Sequence, residues 1–326
     1  FKAYSGYHAK LPGIGVAMFF VLSGYLVTRS FENRHNLVAF VEARVLRIYP
    51  ALWVTLILTV FLLGPMVTSL GTAEYFSNPG TWNYLTHNAK LFPNIVFQLP
   101  GVFEENPWKG GVNGSLWTLP IEVRMYVIVA FLGVVGFLRS REIFNLVALL
   151  IVAWYLFLPE KFYLLHNLKN ERLGIYFLLG ALFYMNRERI RYHWIGLLAL
   201  GIPMYFSYGG PFYNAAFGVW FAYLILYISF HRTISFPDLG KHGDFSYGLY
   251  LYAFPMTQLN ILVFGAESPW LIVVLTFLLS MALAMASWFF IENPCLRLKG
   301  VHHRLPFFRE QSTLVPGQGG ADKPSS

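Results

Sequence analysis

The chain has 326 residues, 56 % of them hydrophobic, 18 % aromatic and only 12 % charged, with a mean hydropathy of +0.51. Soluble domains carry about a quarter of charged residues, so this composition excludes an ordinary soluble enzyme and points to an all-α polytopic membrane protein. The formal charge of +8 would otherwise suggest nucleic acid, but in a membrane protein its distribution matters more than its sum. The single Cys, Cys295, excludes an intrachain disulfide framework and a Cys-based metal site.

The chain opens on FKAYSGYHAK, without an initiator Met and without a signal peptide, so a fragment of a longer protein is expected. His8 in this stretch reads as a solvated loop residue. Apolar runs long enough to cross a bilayer, or nearly so, follow at about 13–29, 48–68, 117–138, 143–158, 172–185, 193–207, 212–230, 246–264 and 269–291. They are continuous rather than alternating, which argues for helices over strands. About nine transmembrane helices are therefore expected. Arg29, Arg34, Arg44, Arg47, Arg139, Arg141, Arg187, Arg189 and Arg191 fall on one side with the basic tail, and fewer cations fall on the other. The positive-inside rule puts the first set, and the C-terminus, in the cytoplasm. An odd number of spans leaves residue 1 outside, and a further helix upstream would restore a cytoplasmic start. A transmembrane domain is expected over 1–298 and a cytoplasmic tail over 299–326, whose EQSTLVPGQGGADKPSS reads as disordered.

Several stretches carry more than hydropathy. In GIGVAMFFVLSGYLVTRSF, residues 13–31, the small residues around Ser23 and Gly24 suit close helix packing; they also suit room for a linear ligand, with Ser23 donating a hydrogen bond. In VEARVLRIYP, residues 41–50, Arg44 and Arg47 share a helix face. Composition alone favours anchoring to headgroups, and the sharper reading is a cradle for phosphate groups. The longest loop, about 69–116, is rich in Asn, Gly, Pro and aromatic residues and reads as a packed extracytoplasmic cap.

VNGSLWTLPIEVRMYVIVAFLGVVGF, residues 112–137, sets Glu122 and Arg124 inside the first turns of a span. At 100° per residue the two side chains point about 200° apart, so they are no intrahelical ion pair. Arg124 can snorkel outward. Glu122 cannot, and ionisable residues within spans mostly face a cavity or protein interior. Thr118, Met125 and Tyr126 share its face, while Asn113, Ser115 and Trp117 stand just outside, a composition suited to a sugar. SYGLYLYAFP, residues 246–255, adds Tyr250 and a Pro-bent helix, which also fits an aromatic belt. WFFIENPCLRL, residues 288–298, adds Glu292, whose simplest role is to partner a neighbouring Arg. There is no GxxxxGK loop, no GxSxG elbow, no metal-type His spacing and no intramembrane acidic chain of the kind proton-coupled transporters use.

Taken together, these stretches resemble the acyltransferase family 3, multi-span membrane enzymes that O-acylate sugars and other hydroxylated molecules. GVAMFFVLSGYLVT is similar to the family's second-helix signature, and ARVLRIYP to its Arg-x-x-Arg element, implicated in handling acyl-coenzyme A. NGSLWTLPIEVRMY is similar to its tryptophan–glutamate helix start; FSYGLYLYAFP and FIENP match its last two helices. The likeness runs in the family's order from residue 13 to about 298. Family members generally begin with a helix bearing an Arg and, about eleven residues later, a His thought to be catalytic. Here that helix would lie upstream of Phe1, making ten spans in the full-length protein. This chain has Ala17 where many members have Asp, and Ala253 where many have His.

The resemblance implies an O-acyltransferase of the bacterial inner membrane. Cytoplasmic acyl-coenzyme A is the implied donor, a substrate rather than a permanently bound cofactor, and acetyl is the default acyl group. Donor binding falls to Arg44, Arg47, Ser23 and Gly24, and acceptor binding to Asn113, Ser115, Trp117 and Tyr126. Glu122 is the catalytic candidate, with Tyr250 and Glu292 as further site residues and no metal. The other partners are a glycan or glycoside acceptor and membrane lipids, not nucleic acid. A non-catalytic glycan or lipid carrier and an inactive scaffold stay open as alternatives.

Overall fold

The computed structural model describes residues 11–34, 36–91, 94–157, 168–210, 212–231 and 243–300. His8 and the tail beyond Gly300 lie outside these residues. The first span is α1, Leu11–Arg34. Next, α2, Leu37–Leu58, runs through a π-turn, Thr59–Leu63, into the short α3, Gly64–Val67. The long loop holds α4, Thr72–Ser77, and α5, Pro79–Lys90. A 3₁₀ turn, Gly114–Thr118, leads into α6, Leu119–Val135. There follow α7, Arg141–Phe157, α8, Leu168–Met185, α9, Trp194–Phe206, α10, Tyr213–Phe230, and α11, Ser246–Phe264. Finally α12, Pro269–Ser287, continues through a π-turn, Trp288–Glu292, into α13, Asn293–Leu296. Among the described residues no strand forms; isolated bridges pair Thr68 with Val102 and Gln98 with Gly111.

Every expected span falls on a helix, and the protein is an all-α membrane protein. Among the described residues, five stretches are long and apolar enough to cross a membrane by themselves: Pro12–Arg34, Leu37–Val67, Gly114–Val135, Tyr213–Phe230 and Pro269–Leu296. The remaining candidates are shorter or more polar, such as α9 with 13 residues and α8 with its LKNER start. Outward-facing Phe131, Leu149, Phe206, Trp270 and Phe290 make a surface suited to lipid.

One boundary differs from the hydropathy reading in a way that matters. The second helix starts at Leu37, not near 48, because Asn36 caps it: its Oδ1 accepts from the Ala39 N–H at 3.2 Å. Arg44 and Arg47 therefore sit within α2, on a helix as their spacing implies.

Backbone-to-backbone packing holds α1 against α8. A Cβ on Gly24 would lie 1.9 Å from the Phe177 carbonyl oxygen, and one on Gly180 would lie 2.0 Å from that of Val21. Only glycine lets two helix backbones approach so closely. The loop between α3 and α6 is a packed cap, with Tyr75, Tyr84 and Phe103 buried. Tyr75 fastens it to α2 by donating to the Val60 carbonyl at 3.0 Å, within the π-turn, where the helical ladder is locally broken.

From the cap the chain descends along α11. Asn106 donates to the Gln258 carbonyl at 2.9 Å, and the Gln258 amide donates to the carbonyls of Trp108 at 2.9 Å and Gly111 at 2.6 Å. Further down, Asn113 donates to the Leu251 carbonyl at 2.9 Å, and the Tyr250 hydroxyl to that of Ser115 at 2.6 Å. The contacts step from 258 to 250, roughly 12 Å of helix at 1.5 Å per residue. Irregular backbone is tolerated among membrane helices only where protein satisfies its polar groups, and here the side chains of Asn106, Gln258, Asn113 and Tyr250 do so. Gly114 is needed on this path, since a Cβ there would lie 2.5 Å from the Phe254 ring.

Candidate active site

Because the loop descends before α6 begins, Glu122 is level with the two arginines of α2. It is 6 % exposed, accepts a hydrogen bond from the Tyr126 hydroxyl one turn on, and lies within electrostatic reach of Arg47 and Arg44. The Arg44 guanidinium stands 5.5 Å from the Tyr126 ring centre and 5.9 Å from that of Phe40. Arg124 is only partly buried, on the other side of α6. The arginines assigned to the donor and the carboxylate assigned to catalysis thus form one cluster, with Tyr126 between Arg44 and Glu122.

Arg47 anchors the lower side. Its Nη2 lies 2.6 Å from Asp244 Oδ2 and its Nη1 lies 3.6 Å from Glu292 Oε2, while its guanidinium sits 5.6 Å from the Tyr247 ring centre. Glu292 is buried and also accepts from Ser287 at 2.9 Å. The Tyr247 hydroxyl donates to the Ile48 carbonyl at 2.9 Å, tying α11 to α2. Burial pushes the Asp244 carboxyl up, but Arg47 and the O–H and N–H of Ser246 outweigh it and hold the group below its ordinary value of 3.8. Lys299, just past α13, is shifted the other way for a cation: burial, then Arg44, Arg34 and Arg47, press its ammonium below the usual lysine value.

Above Glu122 the polar groups continue. The Thr118 and Tyr250 hydroxyls are 2.5 Å apart, and Tyr250 passes the chain on to the Ser115 carbonyl. Two polar clusters on α2, α6 and α11 lie along one path: Arg44, Tyr126 and Glu122 form one, and Thr118, Tyr250 and Ser115 the other, with Tyr250 within electrostatic reach of Glu122. Such a path can seat a charged group at one end and hydroxyl groups at the other.

The other expected site residues lie apart from this path or are spoken for. Gly24 is filled by the α8 backbone, so the room it suggested for a ligand is occupied, and Ser23 beside it is buried. Both polar atoms of the Asn113 side chain are engaged, one with Leu251 and one accepting from the Ser115 N–H at 3.1 Å as a helix cap. Trp117 lines a separate pocket of about 70 Å³ with Gly13, Ala17, Arg172, Tyr176 and Phe221. Asp244 and Tyr247 were not anticipated from the sequence. Asp-x-Ser at a helix start was the available signal for Asp244, as its Oδ1 accepts from the Ser246 N–H at 3.2 Å.

Comparison with known proteins gives the family. The chain is 30 % identical over 303 residues to an "O-acetyl transferase" of Shigella phage Sf6, covering 86 % of this chain and 84 % of that one. It is 25 % identical to "Nodulation protein 10" of Rhizobium leguminosarum bv. viciae, covering 87 % and 82 %. It is 24 % identical to "O-acetyltransferase OatA" of Staphylococcus aureus (strain COL), covering 88 % of this chain but 53 % of that longer protein. No solved structure matches the chain. The model of the acyltransferase family 3, described as an acyltransferase domain, matches residues 10–289. That stretch holds the whole of every described helix from α1 to α12, and the chain belongs to the acyltransferase family 3.

Proposed function

We propose that this protein moves an acyl group, acetyl by default, from cytoplasmic acyl-coenzyme A to a hydroxyl of a sugar or glycan presented from the cap side. The observation that carries the reading is that the Arg44–Tyr126–Glu122 cluster and the Thr118–Tyr250–Ser115 hydroxyl chain lie close together, with Tyr250 within electrostatic reach of Glu122. A polyanionic donor is attracted to the basic end, where Arg44 faces it. Its thioester reaches inward toward Glu122. The acceptor enters from the cap along the descending segment, where hydroxyl and amide groups offer sugar-like hydrogen bonds.

The transfer breaks the thioester C–S bond and forms an ester C–O bond. The acceptor hydroxyl gives up its proton to a base, and the coenzyme A thiolate leaves. Glu122 serves at that point either by accepting the bond from the sugar hydroxyl or by orienting the base. Arg44, beside it, balances charge on the carboxylate.

The purified protein should release coenzyme A thiol from acetyl-coenzyme A, and methyl glycosides added as soluble acceptors should gain labelled acetyl groups. Thiol release absent in detergent and in vesicles alike, from folded full-length protein, would favour a carrier or scaffold instead.

A further inference from the structure

The basic end of the path is larger than the Arg44–Arg47 pair, because the segment just after α13 packs against it. The Gly300 N–H donates to Glu42 Oε2 at 2.9 Å, which ties the segment after α13 to the second turn of α2. Lys299 is thereby brought within electrostatic reach of Arg44, Arg34 and Arg47. Arg34 ends α1 and Arg44 lies on α2, so three different elements converge here.

The carboxylates near these cations are unevenly shared. Asp244 and Glu292 both turn to Arg47. Glu122 accepts from Tyr126 and is shared between Arg47 and Arg44. Glu42 takes the Gly300 N–H and is the carboxylate that faces Lys299. Lys299 and Arg34 are exposed, and the Nε of Arg44 is buried without a hydrogen-bond partner. Like charges gathered on one surface are unfavourable unless an anion bridges them. Burial is the largest part of the downward pressure on the Lys299 ammonium; the three arginines add to it and Glu42 opposes it.

We propose that Lys299 and Arg34 join Arg44 in an anion site that takes a phosphomonoester, the 3′-phosphate of the coenzyme A donor, while Arg47 is a strut between α2, α11 and α12. The occupant rests on the donor reading given above. A phosphomonoester carries nearly two negative charges and three acceptor oxygens, which suits two guanidinium groups and an ammonium arriving from three directions. Arg47, with a carboxylate on each side, has no such vacancy in its charge. A lipid headgroup phosphate shares this chemistry, so the test must separate the two sources.

The experiment is calorimetric titration of the full-length protein in phosphatidylcholine nanodiscs with coenzyme A and with 3′-dephospho-coenzyme A. Wild type should prefer coenzyme A by roughly tenfold or more, the size of a charge-assisted contact. K299Q and R34Q should each reduce that preference several-fold and leave the affinity for 3′-dephospho-coenzyme A unchanged, while K299R keeps the wild-type preference. A preference that persists in both Gln variants, or an equal weakening toward both ligands, overturns the site while leaving the donor reading intact. In nanodiscs containing phosphatidylglycerol, competition with coenzyme A that only the variants escape would assign the site to headgroups and overturn the 3′-phosphate assignment. If wild type binds neither ligand, the donor reading falls together with the site.

Discussion

Glu122→Gln keeps the shape of the side chain and removes its charge, in a place where burial and a Tyr126 hydrogen bond hold it fixed. A hydrogen bond to a charged partner contributes about 1.5–3 kcal/mol and one between neutral groups about 0.5–1.5 kcal/mol, but Gln also spares the cost of burying a charge, so stability should change by no more than about 1 kcal/mol. A group that handles or orients the transferred proton contributes far more to rate, about 10²–10⁴-fold. The variant should therefore fold and lose at least about a hundredfold in kcat/KM. Donor affinity should hold or tighten, because Arg44 and Arg47 lose a nearby carboxylate. Arg124→Gln, on the far side of α6, should cost less than about threefold in rate. The assay is acetyl transfer by both variants in full-length protein, normalised to the yield stable in detergent, with thermal unfolding in parallel. Full activity of Glu122→Gln, or the same loss in both variants, would make this carboxylate a structural feature.

Three further outcomes follow from the packing and the ion pairs. Arg47→Ala should destabilise the protein more than Arg44→Ala, because it strands the buried Glu292 and Asp244; breaking a fully buried pair costs roughly 3–5 kcal/mol, and the half-exposed Asp244 makes the loss smaller here. Arg44→Ala should instead weaken coenzyme A binding, as calorimetry would show. Gly24→Ala should collapse the detergent-stable yield in size-exclusion chromatography, since its Cβ meets the Phe177 carbonyl, whereas Gly15→Ala, with nothing within 4 Å, should leave the yield unchanged. The third concerns pH. Asp244 is held below its ordinary 3.8, so its pairing stabilises the fold above that value and is lost as the pH falls through the lower, folded-state value. The gap in melting temperature between wild type and Asp244→Asn should accordingly close below about pH 4; a gap unchanged down to pH 3 would show that the pair does not stabilise the fold.

The helices were legible because a continuous apolar run leaves few alternatives to a spanning helix. The start of α2 was obscured by the charges of Glu42, Arg44 and Arg47, which interrupt the apolar run, although Asn36 was a visible cap. The face shared by Glu122 and Tyr126 follows from their four-residue spacing, and the two do meet. Glu292 meets an arginine, as its simplest reading had it. What could not be read is the descent of residues 106–115. A stretch rich in Asn, Gly and Trp reads as part of a cap outside the membrane helices, and only contacts such as Asn106 to Gln258, 152 residues apart, draw it down between them. The same applies to Asp244, whose bond to Arg47 spans 197 residues. Long-range partners of buried polar groups leave no periodic trace in a single sequence.

The central claim is that donor and acceptor meet on one path from opposite faces, and sidedness tests it most directly. Full-length protein is reconstituted into sealed vesicles, inside-out and right-side-out populations are separated by protease access to a tag, and labelled acetyl-coenzyme A is placed on one side with a membrane-impermeant glycoside on the other. Label should reach the glycoside only when acetyl-coenzyme A is on the side bearing Lys299 and the glycoside on the side bearing the cap. Transfer that occurs only when both substrates share one compartment would contradict the account.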